Sequence, residues 1–189
     1  VRKIDETKAD LLVAGVRGIS NDANGAGAQA TRFVRRAPCK VLLVEEGQSQ
    51  AFQSVVAAID FSATSKRVVE QAVHVAELDG SELHFLHIFS APWEKFHYLH
   101  DQNYSTAFRE SYVGDLERQL REFVVDSGSG MLVPTTTKQT PDAGFRSGNA
   151  VMAQFMEQNA DDILCESHTV PTSFMGSSFL AASLDYLST

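Results

Sequence analysis

Apolar runs alternate with amphipathic stretches from Ser54 onward, and that alternation constrains the fold most. "SVVAAIDFS", "SELHFLHIF", "MLVPTTTK" and "DDILCE" read as strands, and Pro134 marks an irregular or edge position. Between the first two, "ATSKRVVEQAVHVAELDG" puts Val69, Ala72, Val73 and Ala76 on one helical stripe, with Gly80 suited to the C-terminal cap. After the polar insertion "SAPWEKFHYLHDQNYS", a helix is predicted from Thr106 to Val125 with Leu116, Leu120 and Phe123 facing inward. "GNAVMAQFMEQNA" predicts another helix, and "SSFLAASLDYLS" a final one. Strands separated by helices make a parallel sheet covered on both faces, the α/β class.

A smaller unit precedes this one. "ADLLVAG" reads as a buried parallel strand, "KVLLVEE" as a second strand and an edge element, and "GQSQAFQ" as a polar linker. The helix between them, "GAQATRFVRRA", carries Ala30, Phe33, Val34 and Ala37 on one face and stops at Pro38. "ADLLVAGVRG" aligns without gaps on "ADDILCESHT", and each leads to a small-residue helix start, at Gly27 and Gly176. The offset is about 150 residues, an ordinary domain length. Two related domains in tandem are expected. Residues 1–47 would be the C-terminal strand–helix–strand of the first, and residues 52–189 the second without its last strand. The missing initiator Met fits a chain cut inside the first domain.

Charge and composition narrow the function. A net charge of −8 argues against non-specific binding to nucleic acid or anionic membranes. No apolar run reaches the roughly 18 residues of a membrane helix, and "VRKIDETKAD" lacks the apolar core of a signal peptide. Cys39 and Cys165 lie far apart without CxxC spacing, as expected of reduced thiols in a cytoplasmic protein.

"VAGVRGISNDANGAG" is a glycine loop at a strand-to-helix turn. Bare turns let backbone N–H groups approach an anion, and the helix dipole adds positive potential there. An acidic residue closing a neighbouring strand can accept hydrogen bonds from ribose hydroxyls. Together such parts hold an adenine nucleotide at the carboxyl edge of a parallel sheet.

The chain resembles the universal stress protein family. The resemblance rests on the opening "VVAAIDFSATSKRVVEQAVHVA", the second strand "LHFLHIF" and the ending "RRAPCKVLLV". It implies a three-layer Rossmann-like fold of the adenine nucleotide alpha hydrolase type, with a mostly parallel five-stranded sheet. It also implies a cytoplasmic stress-response module, non-enzymatic, working as a homodimer or tandem pseudo-dimer. Its last strand would pair with a partner chain or lie beside the second domain's edge. ATP or another adenine nucleotide is the implied ligand. In the second domain Asp60 would take the ribose, the Ile88 backbone the adenine, and Gly176, Ser177 and Ser178 the phosphates. In the first domain Gly15, Gly18 and Gly27 would hold phosphate, with Ala28 in place of the usual hydroxyl and Arg17 adding positive charge.

The second domain departs from this pattern. Its two loop glycines fall on Glu166 and Thr169. A carboxylate about 4 Å from a phosphate charge costs about 4 kcal/mol at an effective dielectric of 20, about a thousandfold in affinity. That site is expected to be degenerate. Slow ATP hydrolysis is the alternative; it would need an activated water or nucleophile, and the sequence offers only Asp60 as a metal-binding carboxylate. No catalytic residue and no metal site are assigned. His84 and His87 should point to opposite faces of a strand, and His97 and His100 lack a third ligand. Ser62, Thr64 and Ser65 are candidates for a helix N-cap, and Glu166, Ser167 and His168 are too close in sequence to meet as a triad.

Overall fold

The computed structural model describes residues 2–15, 30, 33, 36–44, 51–93, 104–129, 133–140, 150–152, 154–156, 158, 163–167 and 180–184. A short helix, α1 (Arg2–Thr7), precedes β1 (Leu11–Gly15) and β2 (Lys40–Val44). Then come β3 (Ser54–Ala58), α2 (Ala63–Asp79), β4 (Glu82–Phe89), α3 (Thr106–Val124) and β5 (Thr135–Gln139). Helical residues 150–152, 154–156 and 158 precede β6 (Ile163–Ser167) and β7 (Leu180–Leu184).

The strands form one sheet in the order β1-β2-β7-β6-β3-β4-β5. Every neighbouring pair is parallel except β2 and β7, which run antiparallel with Leu42 opposite Ala182. The fold is thus the expected Rossmann-like α/β type, but among the described residues the sheet has seven strands rather than five. Five parallel strands, β7 to β5, are joined through an antiparallel seam to the parallel pair β1 and β2. The helix expected over "SSFLAASLDYLS" is corrected: Leu180–Leu184 is a strand, seated between β2 and β6. By the same seam β2 is an interior strand, and β1 and β5 are the sheet's edges. The expectation of a buried strand over "ADLLVAG" is corrected too: β1, at the edge, leaves Leu11 and Val13 exposed.

Burial explains the central elements. All five residues of β3 are buried, as a strand covered on both faces requires. On one face Val55, Ala57 and Ile59 pack with Val68, Val69, Ala72 and Ala76 of α2, with Phe85, and with Leu120 and Val124 of α3. On the other, Val56, Ala58 and Leu86 meet Met152, Phe155 and Met156. A separate cluster joins Ile4, Ala30, Ala37 and Cys39 to Val41 and Leu43 of β2.

The caps are local. The Ser62 side chain accepts the Ser65 N–H, and Gly80 closes α2 at φ 69°, its N–H donating to the Ala76 carbonyl. The left-handed φ at Gly80 suits a residue without Cβ. Ser105 caps α3 by accepting the Phe108 N–H. Past α3 the chain widens into a π turn, Val125–Ser129, kinked at Gly128 with φ 93°. Pro134 sits just before edge strand β5, and its carbonyl accepts the Phe85 N–H.

Candidate functional site

The strand order creates a switch point. From β3 the chain moves to β4 and β5 on one side, then returns to place β6 on the other. In open parallel sheets a crevice opens at the carboxyl ends of the strands where the winding reverses. Here it lies beyond β3 and β6, and Asp60 stands at its β3 side.

Asp60 is exposed and organises its own turn. Its Oδ1 accepts the Ser62 N–H at 3.0 Å and the Ser65 hydroxyl at 2.5 Å, and its N–H donates to Ser65 Oγ at 3.1 Å. Ser65 is fully buried. The carboxylate is therefore oriented by the first turn of α2. Phe61, next in the chain, has φ 61°, a left-handed conformation uncommon outside glycine and an outlier for a bulky side chain. Its ring lies 4.4 Å from that of His87 and 5.7 Å from that of Phe123.

Ile88 is placed by ladder alternation. The Phe85 N–H bonds to Pro134 and the Phe89 carbonyl to Thr140, so odd residues of β4 face β5. The Leu86 carbonyl accepts the Ile59 N–H at 2.9 Å, so even residues face β3. Ile88 is the next residue on that edge, beyond the end of β3. Its half-buried side chain packs on the Met152 and Phe155 layer, and its backbone edge faces the chain just past β3.

The other expected residues are distributed differently. Gly15 ends β1 opposite Val44. Gly18, Gly27, Gly176, Ser177 and Ser178 lie outside the described residues, as do Arg17, Ala28 and Thr169. Glu166, which the alignment set on a loop glycine, closes the stretch "DDILCE" read as a strand; it belongs to β6 and pairs with Ser183. Because β2 and β7 are antiparallel, the carboxyl ends of β1 and β2 point to the opposite sheet edge from Asp60. Gly15 and Asp60 thus stand at opposite ends of the sheet.

His84 and His87 do point to opposite faces: the His84 ring lies 6.4 Å from Phe155, and His87 sits among Phe61 and Phe89. His87 is buried, and its Nδ1 lies 2.7 Å from the Ile59 carbonyl. Burial pushes its pKa below the usual histidine range, outweighing the Ile59 bond and the charge of Asp60, which both raise it. The unfolded chain therefore takes up a proton at His87 below about pH 6.5 while the folded protein resists it. Stability from this group is complete above that pH. It is lost as pH falls towards the folded pKa, by at most about 1.4 kcal/mol per pH unit. Urea unfolding from pH 7.5 to 5 should show this loss, and it should be smaller in His87→Asn.

A second feature lies at the carboxyl ends of β4 and β5. Trp93 contacts Tyr104, Phe108 and Tyr112, and the Arg109 guanidinium lies 5.4 Å over its ring. A groove of about 430 Å³ runs between Trp93 and α3, past Glu110, Gly114 and Glu117 to Gln139. Sequence reading named none of these, and it considered His87 only as a metal ligand. Phe61 and His87 both stood inside the motif stretches "DFS" and "LHIF", which was the available signal.

The segment that carries Asp60, Phe61, His87 and Ile88 is also where the chain matches known proteins. Residues 51–128 match the universal stress protein family. Solved structures extend the likeness in fold. A universal stress protein from Archaeoglobus fulgidus DSM 4304 superposes over 96% of this chain and 65% of its own, with a TM-score of 0.60 and 16% identity. A functionally unknown protein from Pseudomonas aeruginosa PAO1 does so over 96% and 65%, with a TM-score of 0.64 and 12% identity. The chain spans just under two thirds of the length of either. A universal stress protein in complex with cAMP aligns more loosely, over 70% of this chain and 97% of its own, with a TM-score of 0.45 and 15% identity. No curated protein sequence matches the chain. At these identities the structures share a fold. Among the described residues no helix is long and apolar enough to cross a membrane.

Proposed function

We propose that this chain is a non-enzymatic, cytoplasmic stress-response module of the universal stress protein type that acts through protein contacts. Adenine nucleotide, ATP in the first instance, is its ligand at the carboxyl sheet edges. The observation that carries this reading is the β3–β6 switch point, where the oriented carboxylate of Asp60 stands just past the end of β3 and Ile88 lies on the neighbouring β4. A carboxylate suits ribose hydroxyls, and a strand edge suits the donor–acceptor pattern of adenine. Gly176, Ser177 and Ser178 would meet the phosphates, and Glu166 would weaken that half. In the first domain Gly15, Gly18 and Gly27 would cradle phosphate.

The proposed division is residues 1–47 as the C-terminal part of one domain and 52–189 as a second, with β7 as a strand near the end of the second. The antiparallel β2–β7 seam supports a tandem pseudo-dimer, because it joins two parallel units edge to edge. A homodimer remains the other proposed arrangement, through surfaces other than β2, whose two edges are both paired.

Calorimetric titration of the chain with ATP and AMP tests the reading. Weak binding is expected, and Asp60→Ala should lower it about tenfold or more, the value of hydrogen bonds to a charged group. Binding unchanged in that variant would refute the ribose assignment. Phosphate release that stops on replacing a single side chain would refute the non-enzymatic one.

A further inference from the structure

We propose that His87 is the positioning residue of the Asp60 turn: its ring N–H holds the Ile59 carbonyl while its face carries Phe61. The proposal rests on the nucleotide reading only for its functional consequence; the brace itself stands on geometry. A carbonyl can only accept, so the 2.7 Å contact makes Nδ1 the protonated nitrogen of the neutral ring. Ile59 is then gripped twice by consecutive residues of β4, through its N–H by the Leu86 carbonyl and through its carbonyl by His87.

Both holds lie immediately before Asp60. In a continuing parallel ladder the Ile59 carbonyl would face the Ile88 N–H. The His87 ring takes that carbonyl instead, and the chain leaves the sheet into its turn. The turn needs outside support, since a left-handed aromatic residue persists only where its surroundings over-determine it. His87 supplies that support at 4.4 Å, with Phe123 behind. Phe89, stacked at 9° to the imidazole and 6.2 Å away, backs the ring from the next same-face position of β4. One buried side chain thus fixes the strand exit, holds the strained residue and turns the Ile88 backbone edge towards the crevice. Under the nucleotide reading, that edge is the adenine-facing one.

Nuclear magnetic resonance tests this on the 189-residue chain. Ring nitrogen shifts of His87 at pH 7.5 should report the Nδ1–H tautomer, and the Nε2–H tautomer would overturn the proposal without any variant. His87→Phe keeps a ring and removes the donor; His87→Asn puts an amide N–H near the Nδ1 position. Exchange of the Asp60 amide should quicken about tenfold or more in His87→Phe and return to within about threefold of the parent in His87→Asn. The Val56 amide of β3 should be unchanged in both, showing that the core remains folded. Equal exchange of Asp60 in parent and His87→Phe, or failure of His87→Asn to restore it while Val56 stays protected, would refute the brace. ATP titration of the same samples reads the nucleotide proposal separately: no ATP binding alongside the expected exchange pattern would count against that proposal and leave the brace standing.

Discussion

Phe85→Ala is expected to lower the unfolding free energy by about 3–5 kcal/mol, the usual cost of deleting a buried aromatic side chain. Phe85 is the largest fully buried side chain of the described residues, and it joins β4 to the α2 and α3 layer. Its neighbours are held by strand and helix backbones, so the space it leaves cannot close cheaply. An effect below about 1 kcal/mol in urea denaturation would mean that α3 collapses onto the sheet, and the packing described for that layer would be wrong. Leu78→Ala makes a control on the same layer: Leu78 is 70% exposed, and its replacement should change stability by less than about 0.5 kcal/mol.

Glu166→Gln should raise ATP affinity, by up to about a thousandfold if the carboxylate faces the phosphates at close range. The substitution keeps size and removes charge, so a gain measures repulsion alone. Glu166 lies next to the last residue of β6, on the strand that borders the crevice from the side opposite β4. The gain should shrink at high salt, because screening weakens the parent's repulsion first. Equal ATP affinity of parent and variant at low salt would show that charge at Glu166 does not weaken the site, and its degeneracy would need another cause.

Much of the scaffold was legible because its signals are local. The uniform apolar run of β3 predicted a strand buried on both faces; Ser62 and Gly80 announced the ends of α2; Pro134 announced an edge. The failure at Leu180–Leu184 has a physical reason. "LAASL" is short and apolar, compatible with either period, and what makes it a strand is the pair of ladders offered by β2 and β6. Those partners are remote in sequence, so tertiary context overrides the helix propensity of Ala and Leu. Of the candidate site, the sequence named Asp60 and Ile88; Asp60 stands two residues past the end of β3, and Ile88 on β4 beside it. The conformation of Phe61 was invisible, because the rings beside it, His87 of β4 and Phe123 of α3, are remote in sequence.

The reversal at the β2–β7 seam gives the molecule two ends. A ligand on the Gly15 side and one on the Asp60 side would occupy opposite rims of one continuous sheet. They could neither collide nor share a counter-ion. If both rims fill, occupancy should follow two isotherms, and cooperativity would travel through the seam, where three ladder pairs stitch Val41, Leu42 and Leu43 to Ser183, Ala182 and Ala181 and where Leu42 and Val44 pack on the α2–α3 core.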